Sequence, residues 1–331
     1  MRSRLQATSV RLGGVAGGRR LCSGNRIMQL GFVSAILPEL SLEDVLAFAR
    51  AERFAAVELM CWPVGRADRR FAGVTHVDVA TLTPALAATI SHQAADHGVE
   101  ISGLGYYPNM LDPDPEVAGV AVAHFRRVID AAALLGLRTV NTFVGRDWHR
   151  TVDDNWPRFL DTWRPILAHA AQAGVRVGIE NCPMLFTKDE WPGGKNLFVS
   201  PAIWRRAFRD LDSPHIGLNY DPSHFLLQDM DPASPLAEFR DRLFHVHAKD
   251  VRIDRPALDE VGRFDYPLRW HQPRIPGAGG IDWPRFMAEL RRVGYDGPVC
   301  IEVEDDTFGP TLEGRQNALR AARDVLAPLI G

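Results

Sequence analysis

The stretch GLNYDPSHFLLQDMD, Gly217 to Asp231, sets a short apolar run, Ile216–Tyr220, directly before Asp221, Pro222, Ser223 and His224. Such a run has the length of a strand buried on both faces of a parallel sheet. A surface turn would account for Asp-Pro-Ser. It would not account for three other apolar runs in the chain that also end in a carboxylate or an imidazole. Buried strands that deliver polar chemistry at their carboxyl ends point to an α/β fold with its site along that edge.

Working outward, eight apolar runs alternate with longer amphipathic ones. The strand candidates are 29–34, 56–61, 100–105, 139–144, 176–182, 216–220, 243–248 and 299–303. Helices are expected near 42–52, 82–97, 116–135, 153–173, 201–210, 235–241, 283–293 and 313–329. Gly98, Gly136, Gly174 and Gly294 each close a helix candidate, as glycine does by adopting the left-handed conformation at little cost. Eight strand–helix units predict a single closed (β/α)8 barrel, the TIM barrel. An open doubly wound sheet would carry a glycine-rich phosphate loop after its first strand, and GFVSAILPELS follows here instead.

The length of 331 residues suits one barrel of roughly 250 residues plus additions. The hydrophobic fraction of 46% is enough for a large core, and a net charge of −3 gives no reason to expect nucleic acid or an anionic membrane as partner. No apolar run reaches the ~18 residues that a membrane helix requires. Residues 1–27 differ from the rest: Arg2, Arg4, Arg11, Arg19, Arg20 and Arg26 occur with no acid. They are expected to be a disordered extension ahead of a catalytic domain over 28–331, a transit peptide being the alternative. Cys22, Cys61, Cys182 and Cys300 form no C-x-x-C pair. They read as reduced thiols of a cytoplasmic protein.

Four strand ends converge in this scheme. The fifth strand, RVGIENC, carries Glu180; the sixth ends at Asp221. The seventh, LFHVHAKD, sets His245 and His247 on one face, and the eighth, PVCIEVEDD, holds Glu302 in phase with Cys300. Three carboxylates at one barrel mouth would repel and drive their pKa values up unless a cation intervened. Three oxygen ligands and one imidazole suit a divalent ion, Mn²⁺ first, with Mg²⁺, Co²⁺ or Zn²⁺ as alternatives.

The order and spacing of GIEN, NYDPSH, HVHAKD, PGAGGIDW and CIEVED resemble the xylose-isomerase-like TIM-barrel superfamily, over roughly residues 28–330. That group includes sugar isomerases and epimerases, inosose dehydratases and apurinic-site endonucleases. The resemblance to its 3-epimerases implies Glu180, Asp221, His247 and Glu302 as metal ligands. It also implies His224 as a residue that touches substrate hydroxyls, with His245 one layer deeper. Two features of those epimerases lack a counterpart. A second glutamate after the fifth strand falls near Phe186, and an arginine after the seventh-strand histidine is matched only out of register by Arg252. The expected substrate is therefore a sugar or polyol other than a free ketose.

Proton removal beside a carbonyl leaves an enediolate, which a metal across adjacent oxygens stabilises. Glu180 and Glu302 are expected to serve as the base and acid on its two faces. Lys188, Lys249, Tyr107, Trp62, His149 and Arg274 are expected in the substrate pocket, together with Trp191, Tyr106, Asn109, His271 and Glu58 in its walls. The glycines of PGAGGIDW are expected to build a turn, with Asp282 capping the next helix. The expected activity is a metal-dependent isomerase or epimerase, with a lyase on a keto-sugar or inosose as alternative. An apurinic-site endonuclease would need histidines on the second and third strands, which end in ELMCW and GLGYYPN. A non-catalytic barrel is a further alternative, and a homo-oligomer is expected only by analogy with the family.

Overall fold

Residues 28–65, 73–183, 194–263, 265 and 267–331 are described by a computed structural model. The extension 1–27, and with it Cys22, lies outside them, as do Phe186, Lys188 and Trp191. Eight parallel strands close a barrel: β1 Gln29–Val33, β2 Ala56–Met60, β3 Glu100–Gly105, β4 Thr139–Thr142, β5 Arg176–Glu180, β6 Ile216–Tyr220, β7 Leu243–Ala248 and β10 Pro298–Ile301. Strand β1 pairs with both β10 and β2, so no edge is left open.

The helices outside the barrel are α1 Leu42–Ala51, α2 Pro84–His97, α3 Pro115–Leu134, α4 Val152–Ala173, α5 Pro201–Leu211, α8 Trp283–Arg292 and α9 Leu312–Leu326. Their boundaries follow local chemistry. Thr83 accepts from the Leu86 N–H ahead of Pro84 to open α2, and Gly98 ends it at φ +65°. Asp282 caps α8 by accepting from the Arg285 N–H. Alternate residues of the strands face these helices: Val57, Leu59, Ile101, Val140, Val177, Ile179, Leu218, Val246, Val299 and Ile301 join Phe125, Trp163, Trp204 and Phe286 in one continuous core. Each such side chain contributes about 1.5–3 kcal/mol by leaving water. Among the described residues, no helix is long and apolar enough to cross a membrane.

Two sequence expectations need correction. No α-helix forms over 235–241; the chain runs through turns into a single 3-10 turn, Arg240–Arg242. The segment WHQPRIPGAGGIDW is more than a turn. After β7 the chain forms an antiparallel hairpin, β8 Asp250–Ile253 with β9 His271–Arg274, and the short helix α7 Arg255–Val261 lies between its strands. Pro273 is tolerated because this is a two-stranded ribbon, in which a strand has a free edge. A four-residue helix, α6 Ser223–Leu226, also follows β6.

Candidate metal centre and active site

Polar side chains, among them Glu58, Asn141, Asn219, His245 and His247, are buried on the barrel strands. Gly105 leaves room for Glu58, whose Oε1 would lie 2.5 Å from a Cβ at that position. Glu58 is fully buried in the middle of β2. A buried carboxylate must be paired. Its Oε2 accepts from His247 Nε2 at 2.7 Å, and its Oε1 accepts from the Tyr107 hydroxyl. Burial pushes the Glu58 carboxyl up, but His247 and Tyr107 outweigh it and hold it below the usual range. One layer down, His245 Nδ1 donates to Asn219 Oδ1 at 3.0 Å and Ser102 Oγ donates to His245 Nε2 at 3.1 Å. With both nitrogens so engaged, burial lowers His245 to about 4 and the ring is neutral.

The bond to Glu58 puts a proton on His247 Nε2 and turns Nδ1 toward the acids at the mouth, where a bound cation would displace any proton it carries. That Nδ1 is buried and makes no well-aligned hydrogen bond. It lies 3.3 Å from Glu302 Oε2 and 3.7 Å from Glu180 Oε2. Donor atoms of Glu180, His247 and Glu302 all fall within 4.8 Å of one another. A buried and a half-buried carboxylate facing an imidazole nitrogen, itself oriented by a further carboxylate behind it, fit a divalent ion. Asp221 is fully buried beside them, its Oδ2 3.0 Å from His224 Nε2 and 3.3 Å from Lys249 Nζ.

Side-chain amides lock this geometry. Asn181 Nδ2 donates to the Asp221 carbonyl at 2.9 Å while its Oδ1 accepts the Asp221 N–H at 2.8 Å, tying the end of β6 to β5. Asn196 Nδ2 donates to the carbonyls of Glu180 and Cys182 at 2.9 and 2.8 Å. The strand ends are thereby held before any ligand arrives.

Cations already stand among the acids. Lys249 Nζ donates to Glu302 Oε2 at 2.9 Å and lies 3.5 Å from Glu304 Oε2. Despite burial, Glu302, Glu304, Asp221 and Glu180 hold the Lys249 ammonium well above its ordinary range. Burial likewise opposes charge on His224 and His247, and their acidic neighbours overcome it. The two glutamates diverge. Burial and the charge of Glu302 raise Glu180, whereas Lys249 and His247 overcome burial and lower Glu302.

The remaining expected residues divide. Tyr107, with Val33, Met60, Val74 and Phe143, forms an apolar wall against which Trp62 and Cys182 pack. His149 is exposed, and its contacts are with Asp147 and the Trp148 ring rather than with the acidic cluster. Arg274 is on β9 and pairs with Asp305 Oδ1 at 3.2 Å and with Gln272, tying the hairpin to the segment after β10. Lys188 lies outside the described residues. Lys249 does not pair with Asp250. The buried Asp250 carboxylate accepts instead from the N–H groups of Val251, Gly277 and Ile281 and from Trp283 Nε1, at 2.8–3.1 Å. The glycine-rich loop wraps this carboxylate so closely that a Cβ at Gly279 would stand 2.1 Å from Asp250 Oδ1. Glu58 was expected only as pocket wall. A glutamate inside the otherwise apolar run AVELM was the signal for its larger part.

Residues 46–329 match the family described as xylose isomerase-like TIM barrel, and the chain belongs to that family. Among curated proteins it is 26% identical over 303 residues to the uncharacterised protein YfiH of Bacillus subtilis (strain 168), covering 86% of this chain and 95% of that one. A 3-dehydroshikimate dehydratase of Pseudomonas putida is 30% identical over 171 residues, half of this chain but 24% of that protein. An inosose dehydratase of Lacticaseibacillus casei is 28% identical over 160 residues, 47% of this chain and 52% of that one. Of solved structures, a xylose isomerase domain protein from Alicyclobacillus acidocaldarius superposes with TM-score 0.68 at 20% identity, over 92% of this chain and 98% of that one. D-psicose 3-epimerase, in the presence of D-fructose, superposes with TM-score 0.63 at 16% identity, over 92% and 100%. These two structures share the fold. The Pseudomonas and Lacticaseibacillus relatives are named as dehydratases, and the superposed psicose protein as an epimerase.

Proposed function

We propose that the chain is a divalent-metal-dependent enzyme that removes the proton next to a carbonyl of a sugar or polyol-derived ketone, and so isomerises or epimerises it. The observation that carries this reading is that Glu180 and Glu302 both approach His247 Nδ1, at 3.7 and 3.3 Å, with donor atoms of the three residues within 4.8 Å of one another. Glu180, Asp221, His247 and Glu302 would hold the ion, and this oxygen-rich set with one imidazole favours Mn²⁺. When bound, the ion supplies the positive charge that favours an enediolate over its parent ketone.

The chain's own residues do the rest. Two carboxylates with oppositely displaced pKa values suit a base and an acid exchanging one proton across a substrate carbon. Lys249 Nζ, buried and cationic, is placed to donate to a substrate oxygen. His224 Nε2, 3.2 Å from Glu180 Oε1, is placed to bind a neighbouring hydroxyl. The wall of Met60, Tyr107 and Phe143 keeps water from the carbon being deprotonated.

A second reading is elimination, in which the same proton removal is followed by loss of water. It is supported by the dehydratase names of two relatives and by Lys249, whose ammonium can protonate a departing hydroxyl. One experiment separates the two. The Mn²⁺-loaded protein is incubated in D₂O with a panel of ketoses, inososes and keto-acids, and products are read by mass and NMR. Solvent deuterium at one carbon with mass otherwise retained is the expected result, and loss of water selects elimination. A metal-loaded protein that exchanges no carbon-bound hydrogen in any panel member would end both readings.

A further inference from the structure

We propose that Glu180, Cys182 and His224 form a second cation site, selective for a borderline-soft divalent ion such as Zn²⁺. Their donor atoms, a carboxylate oxygen, a thiol sulfur and an imidazole nitrogen, all lie within 4.8 Å of one another. Sulfur together with nitrogen is the donor mix that zinc prefers and that Mg²⁺ or Mn²⁺ does not. The site differs from the Glu180–His247–Glu302 cluster in every residue but Glu180.

Glu180 faces both ways. Its Oε2 is the atom nearest His247 Nδ1, at 3.7 Å, while its Oε1 is the atom 3.2 Å from His224 Nε2. A carboxylate with its oxygens turned to separate donor sets is disposed to bridge two ions, which in two-metal sites stand about 3.5–4 Å apart. Asp221 Oδ2, 3.0 Å from the same His224 nitrogen, stands beside the set as a fourth donor.

His224 gives an independent reason. Its side chain is only 6% exposed, yet its Nδ1 is buried without a hydrogen bond. Nε2 shares its proton with Glu180 Oε1 and Asp221 Oδ2, and an entering cation that displaces this proton would take up the lone pair between the same two carboxylates. The site is also pre-built and reachable. Asn196 clamps the carbonyls of Glu180 and Cys182, and Cys182 is partly exposed whereas Cys61 and Cys300 are buried. Occupancy would pin the Glu180 carboxylate and withhold it from proton transfer, making the site inhibitory. That consequence rests on the reading of Glu180 given above; the existence of the site does not.

Cobalt titration tests the site without any assay of activity. Metal-stripped protein is dialysed against Co²⁺, bound metal is measured, and the near-ultraviolet thiolate-to-cobalt charge-transfer band is recorded. The wild type is expected to bind two ions per chain and to develop the band. Cys182→Ser should keep one ion and lose the band, and Glu302→Gln should keep the band while losing the other ion. His224→Gln, which retains the thiol, should weaken the cobalt affinity read from the band at least tenfold. Saturating cobalt with no band in the wild type, or a band that survives Cys182→Ser, would overturn the proposal. A wild type that develops the band but binds only one ion would instead count against the oxygen-rich metal centre of the proposed reaction.

Discussion

The two halves of the barrel mouth are built from opposite materials. At or just past the ends of strands β1–β4 stand Val33, Met60, Tyr107 and Phe143, which pack against one another. At or just past the ends of strands β5, β6, β7 and β10 stand Glu180, Asp221, His224, His247, Lys249 and Glu302, which pair by charge. The apolar half lowers the dielectric in which the charged half works, and Coulomb attraction strengthens as the dielectric falls. Glu58 is the exception, an anion sent from the apolar half to hold His247 on the other side.

The sharpest way to break this contrast is to neutralise one acid of the charged half. Glu180→Gln or Glu302→Gln should lower turnover about 10²–10⁴-fold, the usual worth of a general acid or base. Steady-state rates on whichever substrate exchanges deuterium check this, with circular dichroism confirming an unchanged fold. Removing the crossing anion comes next. Glu58→Gln should weaken Mn²⁺ binding by about 10–100-fold, as loss of a partner behind a metal-binding histidine does, and calorimetric titration would read it. A smaller change of opposite sign is expected for Lys249→Met. The ammonium stands where it competes with an added cation, and unit charges ~4 Å apart at an effective dielectric near 20 interact by about 4 kcal/mol. Divalent affinity should therefore rise, about tenfold after relaxation, while turnover falls.

The apolar half should respond more weakly. Trp62→Ala removes a ring that lies edge-on to Tyr106 at 4.9 Å. It should raise KM by up to about tenfold, within the 1–2 kcal/mol expected from partial loss of apolar contact, and leave kcat nearly unchanged. The smallest effect lies outside the mouth. Burial raises Asp305, but Thr307, the Ile275 N–H and Arg274 outweigh it and hold the carboxyl below its ordinary range. A depressed folded pKa contributes stability above the unfolded value, about pH 4, and loses it as pH falls through the folded one. The Tm gap between the wild type and Asp305→Asn should therefore be widest near neutrality and close between about pH 5 and 3 in thermal melts.

The barrel was legible because strand length, glycine stops and the alternation of elements are local signals. The convergence of Glu180, Asp221, His247 and Glu302 was legible for the same reason, since a period of two in consecutive parallel strands sets side chains at one rim. What escaped depends on contacts distant in sequence. The hairpin of β8 and β9 pairs Asp250 with Arg274 across an intervening helix, and no pattern within either segment announces that partner. Arg274 was expected in the pocket because its charge was visible while Asp305 was not yet its neighbour. His149 follows β4 as a pocket residue would, but its loop turns the ring outward onto Trp148.

The bond between Glu58 and His247 joins residues 189 positions apart, and this bears on how the chain is made. A ribosome delivers the amino end first, so β1–β4 emerge carrying a glutamate whose imidazole has not yet been synthesised. A nascent half-barrel would have to bury that anion with the Tyr107 hydroxyl beside it but no imidazole, at a cost of several kcal/mol. Pairing of Glu58 therefore waits for β7, when nearly three quarters of the polypeptide has been translated, and closure waits further for β10, so the amino-terminal half stays within reach of chaperones until then.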